Sequence, residues 1–178
     1  MIIKVKTQKI LQKDNPILRK VSEIVPEKEI GTKKISKIIS EMKKALAKEA
    51  DGIAISAIQI GYPIRIFLIS KKIFDILELP QSESNKVKDL IFINPKINKL
   101  SKEKQLLEEG CLSVRYLYGK VLRSAKAHIE ATDEKGQKIS RGVSGFLSQV
   151  VQHENDHLNG ILFIDKAVDV VEVLPEKK

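Results

Sequence analysis

His153, Glu154 and His157 are the residues whose types and spacing could do chemistry. On an α-helix each residue advances by about 100°, so positions i and i+4 share one face. His153 and His157 can therefore offer imidazole nitrogens to one ion, a single helical turn apart. Glu154 lies beside them, close enough to take a proton from water bound to that ion. Two neutral nitrogen ligands, an open coordination position and an adjacent carboxylate base are what metal-dependent hydrolysis requires. A helical histidine pair alone can be a solvated surface feature; the intervening Glu and the helical setting favour a metal site.

The flanking sequence supplies that helix. Phe146, Leu147, Val150 and Val151 fall at spacings of three and four ahead of the histidines, marking one buried stripe. Ser144 reads as the N-cap and Asn159-Gly160 as the stop, with the glycine free to turn left-handed. The histidines extend the apolar stripe and so face away from bulk water. A buried pair without an ion would need other hydrogen-bond partners.

A third ligand must come from elsewhere. The remaining histidine, His128, sits in a run of period two, on the face shared by Lys126, Glu130 and Thr132, and reads as a solvated strand residue. Cys111, the one cysteine, is the stronger candidate. A lone cysteine is more often a small buried apolar residue. Here Gly110 permits close backbone approach, and a thiolate with two imidazoles suits zinc or ferrous iron.

Three separated motifs resemble those of one family, the peptide deformylases. Residues 52–59 read Gly-Ile-Ala-Ile-Ser-Ala-Ile-Gln, similar to the family's Gly-φ-Gly-φ-Ala-Ala-x-Gln. Residues 109–113 match Glu-Gly-Cys-Leu-Ser, and 152–158 match Gln-His-Glu-x-Asp-His-Leu. Order and spacing also fit, the likeness runs from about Ile10 to about Lys166, and 14–19 resembles the N-terminal Asp-Pro-x-Leu-Arg segment. Ala54 stands where the family usually has its second glycine, Ser56 where it has alanine, and Arg115 where a proline is common. None of these departures is expected to touch a metal ligand, Glu154 or Gln59. They bear instead on substrate affinity, Ala54 above all, whose β-carbon would narrow the approach of a substrate backbone.

The resemblance implies an α+β fold, with mostly antiparallel sheets packed around the central motif-bearing helix, as a single catalytic domain over 1–178. It implies hydrolytic removal of the N-formyl group from the initiator methionine of nascent polypeptides, with release of formate. Cys111, His153 and His157 would hold one divalent ion, Fe2+ as is usual in the family, with Zn2+, Ni2+ or Co2+ able to substitute. Glu154 would be the base, and the Gln59 side chain and Leu112 backbone N–H the oxyanion donors. Ile53, Ala54 and Gly110 would lie along the substrate backbone. Leu107, Phe146 and Val150 are candidates for the methionine pocket, and Glu109 and Asp156 for orienting the ligands.

Other elements must position these parts. Residues 32–50 read as a helix with an apolar stripe of Ile35, Ile38, Ile39, Met42 and Leu46, and Asp51-Gly52 leads into the first motif as a loop entering a strand. Asn15-Pro16 reads as the cap and first turn of a short helix. Residues 65–70 and 90–94 read as buried strands, and 125–132 and 137–141 as strands joined by a turn at 133–136. An exposed loop is expected at 80–85 and a frayed end at 175–178.

At 178 residues with 42% hydrophobic content, the chain can bury the core of one domain. One cysteine excludes an internal disulfide and fits a reducing compartment. The first six residues alternate apolar and basic with no secretory apolar region, and no stretch approaches the ~20 apolar residues of a membrane span. A cytoplasmic protein without membrane association is expected. The net charge of +9 comes with only 4% aromatic residues, which fits a lysine-rich solvated surface better than a sequence-specific nucleic-acid groove. It would still favour a polyanionic neighbour such as the ribosome.

Three other functions compete. A zinc peptidase would take its third ligand downstream, from Asp165, Asp169, Glu172 or Glu176. A cysteine hydrolase would use Cys111 as nucleophile with a histidine base. A binder of nascent chains without turnover would explain Ala54, Ser56 and Arg115.

Overall fold

The computed structural model, which describes residues 9–77 and 88–174, is organised by a five-stranded antiparallel sheet. Its order is β1 (Ala54–Ser56), β2 (Ile66–Ile69), β3 (Leu90–Leu100), β6 (Lys126–Thr132) and β7 (Lys138–Ser144). β2 reads Ile-Phe-Leu-Ile because both faces of this sheet are covered. Ile66 and Leu68 point to helix α1 (Lys33–Ala47), and Phe67 and Ile69 point to helix α3 (Gly145–Leu158). Each layer buries its own stripe: Ile35, Ile38, Ile39, Met42 and Leu46 from α1, Leu147, Val150, Val151 and Leu158 from α3.

A second sheet, β4 (Lys104–Cys111), β5 (Val114–Ser124) and β8 (Val168–Glu172), packs across the polar side of α3. Gln152 Oε1 accepts from Ser124 N at 3.1 Å, and Gln149 Nε2 donates to Glu108 O at 2.8 Å. The motif helix therefore lies between the two sheets. The α+β architecture and its central helix are as expected.

Several boundaries moved. α1 ends at Ala47, and 48–52 follow as turns in which Gly52 N bonds Glu49 O at 3.1 Å. A β-carbon on Gly52 would come within 2.7 Å of Leu46 Cδ1 and 3.1 Å of Glu49 Cβ, so a larger residue there would have to displace the Leu46 side chain. β3 continues past Asn94, the expected end of the strand, to Leu100. Asn94 takes φ 53°, the register shifts between Ile93 and Lys96, and the Asn94 side chain exchanges two 2.8 Å bonds with the Val25 backbone. A bulge thus absorbs the missing donor of Pro95.

The short helix at Pro16–Arg19 is 3-10, with Asn15 Oδ1 accepting from Ile17 N at 3.0 Å. Ser144 sits at the N-cap of α3, but its side chain makes no capping bond. The turn at 133–136 is observed, with Asp133 Oδ1 accepting from both Lys135 N and Gln137 N at 2.8 Å. The helix α2 (Lys72–Ile76), the β4–β5 hairpin and β8 were not anticipated. The expected loop at 80–85 and frayed end at 175–178 lie outside the described residues. Among the described residues, no helix is long and apolar enough to cross a membrane.

Candidate metal centre and active site

The α3 helix sets His153 and His157 on one face, with ring centroids 4.9 Å apart at 78°. Cys111 closes β4 at the tip of the hairpin, and its Sγ reaches 3.2 Å from His157 Nε2. Ser113 N, across the turn, donates to the same sulfur at 3.4 Å. One donor atom from each of Cys111, His153 and His157 lies within 4.8 Å of the others. Donors about 2.0–2.3 Å from one shared ion sit roughly 3–4 Å apart, so the trio fits a metal ion.

Charge around the trio points the same way. Burial and the neighbouring charge of His153 push His157 well below the usual histidine range, leaving it neutral as a ligand must be. Burial alone would also depress His153, but hydrogen bonds to Cys111 and Glu109 hold it well above that range. Groups that favour a proton on His153 equally favour a metal cation beside it.

Glu109 orients His153, as expected, with Oε2 2.9 Å from Nδ1. Burial would raise this carboxyl, but hydrogen bonds from Arg123 and His153 outweigh it and hold Glu109 at about 2. Arg123 grips Glu109 through Nε and Nη2 at 2.7 and 2.9 Å, and meets Asp156 through Nη1 at 2.6 Å. Asp156 therefore does not touch a ligand, contrary to the role considered for it. Its carboxylate is held by Arg123 and by Lys166 Nζ at 2.7 Å, so it acts one contact further out. His157 Nδ1 is buried with no hydrogen-bond partner among the described residues.

A cleft of about 590 Å³ opens onto Cys111, His153 and Glu154. Gln59, Leu112, Ile53, Ala54, Glu109 and Gly110 also line it, whereas the buried His157 does not. Phe146 and Val150 line it too, whereas Leu107 lies outside it. Leu107 is on β4 two residues before Glu109, on the same face of the strand, but further from the hairpin tip that carries Cys111. His128 sits on the outer part of β6, hydrogen-bonded to Asn98 Oδ1 at 2.8 Å and away from the metal trio. Asp165 pairs with Arg19 and Asp169 with Lys120, and neither they nor Glu172 join the trio. Glu176 lies outside the described residues.

Gln59 is fixed by its neighbours. Ser56 N donates to its Oε1 at 2.8 Å, which makes Nε2 the end that faces Ser113 Oγ at 3.0 Å and Cys111 Sγ at 3.7 Å. An amide donor is thus presented beside the candidate ligands. Glu154 is 3% exposed, and burial raises it above the usual carboxylate range despite the nearby charge of His153 and a hydrogen bond from Ser56. That bond corrects one expectation: Ser56 Oγ lies 2.6 Å from Glu154 Oε2, so a departure from the family motif does touch Glu154. Arg115 also acts beyond its own strand, pairing with Glu49 and with Asp51 Oδ2 at 3.1 Å, and both Arg115 and Asp51 line the cleft.

A buried glutamate lining a cleft beside a Cys-His-His trio, carried between two antiparallel sheets, is an arrangement that suits a hydrolase. The polypeptide deformylase family model matches residues 7–172. The peptide deformylase of Psychrobacter cryohalolentis is 40% identical over 156 residues, covering 88% of this chain and 77% of the relative. The Met-Ala-Ser-bound class I type b peptide deformylase of Acinetobacter baumannii superposes with TM-score 0.76 at 25% identity, over 93% of this chain and 99% of that one. The Plasmodium falciparum peptide deformylase gives 0.76 at 34% identity, over 92% and 87%. The chain belongs to the polypeptide deformylase family.

Proposed function

We propose that this deformylase removes the N-formyl group from the initiator methionine of nascent polypeptides, releasing formate, with Cys111, His153, His157, Glu154, Gln59 and Leu112 carrying the reaction. The reading rests on one observation above all: a Cys-His-His donor set, a buried carboxylate and an amide donor share one cleft. A divalent ion held by Cys111, His153 and His157 supplies, when bound, Lewis acidity toward water and the carbonyl. We read it as Fe2+; Zn2+, Ni2+ and Co2+ suit the same donors.

Glu154 takes the proton of the attacking water and returns it to the leaving nitrogen as the C–N bond breaks. Its raised proton affinity suits it to hold that proton between the two events. Gln59 Nε2 and Leu112 N–H donate to the oxyanion that develops from the formyl oxygen. Ile53, Ala54 and Gly110 offer main-chain groups to the peptide, while Phe146 and Val150 present apolar surface to the methionine side chain. Recognition through main chain tolerates varied residues after methionine. The Met-Ala-Ser complex of the A. baumannii relative supports a short peptide as the occupant of such a cleft.

We take 1–178 as one catalytic unit acting in the cytoplasm. Its net charge of +9 favours the polyanionic ribosome, from which formylated chains emerge. Formate release from a formyl-Met tripeptide against acetate release from its acetyl counterpart tests the reading. The formyl peptide is expected to react faster by on the order of 10²-fold or more, since the added methyl group must fit beside the reacting carbonyl. Comparable rates on the two, or cleavage of an unformylated peptide bond, would overturn it.

A further inference from the structure

The hydroxyl of Ser56 is the sole side-chain partner of the Glu154 carboxylate among the described residues, although 98 positions separate the two in sequence. Ser56 is fully buried at the end of β1, so this contact is not a surface accident. Its Oγ lies 2.6 Å from Glu154 Oε2 and 3.2 Å from the Glu154 carbonyl oxygen. One hydroxyl hydrogen thus has two acceptors, both on the same residue. A short O–H···O bond to a carboxylate is among the stronger hydrogen bonds in proteins, and it fixes the rotation of the group that accepts it. With Oε2 occupied, Oε1 is the oxygen left to face the cleft. The main chain of Ser56 meanwhile holds Gln59 Oε1 at 2.8 Å, so one residue ties down both the base and the amide donor.

We propose that Ser56 is a positioning residue for the deformylation reaction: its hydroxyl holds Glu154 Oε2 and thereby reserves Oε1 for the proton taken from water and returned to the leaving amine. This inference rests on the reading of Glu154 as the base. The hydroxyl also suits the carboxyl in either state. It donates to Oε2 while Glu154 is ionised, and it can turn its hydrogen to the Glu154 carbonyl and accept from Oε2 should the proton move there. An alanine at position 56, the residue more usual in the family's motif, has no such group. The fold therefore accommodates Ser56→Ala, while Glu154 loses its restraint.

The experiment compares wild type, Ser56→Ala and Ser56→Thr on a formyl-Met peptide, with kcat expressed per bound metal. Ser56→Ala is expected to lower kcat by about 10-fold and to leave KM within about 2-fold, the pattern of an interaction that matters only beyond the ground state. Ser56→Thr, which keeps the hydroxyl, is expected to recover most of that loss. Denaturation midpoints of the metal-free Ser56→Ala, Glu154→Ala and double variants supply a readout independent of turnover, and they decide the matter if Ser56→Thr overpacks. Non-additive midpoints show that the pair is coupled; additive ones overturn the contact. A wild-type kcat in Ser56→Ala, or a change confined to KM, overturns the positioning role while leaving the deformylase reading intact. Failure of the wild type to release formate would instead strike the reading itself.

Discussion

Glu154→Gln is expected to lower kcat by roughly 10²–10⁴-fold, the usual cost of losing a positioned general base. The substitution is close to isosteric, and Gln Oε1 can still accept from Ser56 Oγ, which now sits 2.6 Å from Glu154 Oε2. Fold and metal content should therefore stay as in the wild type. Removing a buried carboxylate whose proton affinity is already raised by desolvation takes away little that the fold depends on. Steady-state kinetics per bound metal, with metal content measured on the same sample, check the prediction. Turnover within a few-fold of wild type in the metal-loaded variant would remove Glu154 from the mechanism.

The second large effect is on stability. Arg123 is 3% exposed and holds two carboxylates, Glu109 and Asp156, at 2.6–2.9 Å. Replacing it by methionine fills much of the space but leaves Glu109 without its cation. Breaking a buried ion pair from one side costs about 3–5 kcal/mol. Asp156 loses less, because Lys166 remains at 2.7 Å. Urea denaturation of Arg123→Met should show a loss of that size, and a loss below about 1 kcal/mol would contradict the buried-pair account. Acid should reproduce part of the effect in the wild type. Glu109 is lowered from 4.5 to about 2 by folding, so its contribution is present above 4.5 and is lost as pH falls through about 2. Because Glu109 also holds His153 Nδ1, Arg123→Met is expected to loosen metal retention as well.

Local periodicity made the motif helix legible before any coordinates. Phe146 to His157 carry the apolar spacing and the ligand spacing in one stretch, and α3 buries Leu147, Val150, Val151 and His157 together. β2 was legible for a similar reason, since a short all-apolar run suits a strand covered on both faces. Contacts set by tertiary closure left no local trace. Ser56 meets Glu154 only because β1 packs against α3, and nothing in the first motif alone indicates that contact.

Arg123 went unnoticed for a different reason. The β4–β5 hairpin carries so many charged residues that it does not read as two strands, and its alternation is masked. Once β5 is seen, Gly119, Val121 and Arg123 share the inward face with period two, and a buried arginine in that row calls for carboxylate partners. The strand read over 90–94 erred in the opposite sense, ending where Asn94 builds a bulge and β3 runs on to Leu100. The candidate ligands were legible because two of them share a helix turn and the third sits in a motif with a distinctive composition.

The assignment of Cys111, His153 and His157 as the ligands of one ion is tested most directly by X-ray absorption at the metal edge of anaerobically loaded protein. The donor set predicts one sulfur at about 2.3 Å and imidazole nitrogens at about 2.0–2.1 Å, with the sulfur shell lost in Cys111→Ala. A first shell of nitrogen and oxygen alone in the wild type, or a spectrum unchanged by Cys111→Ala, would contradict it.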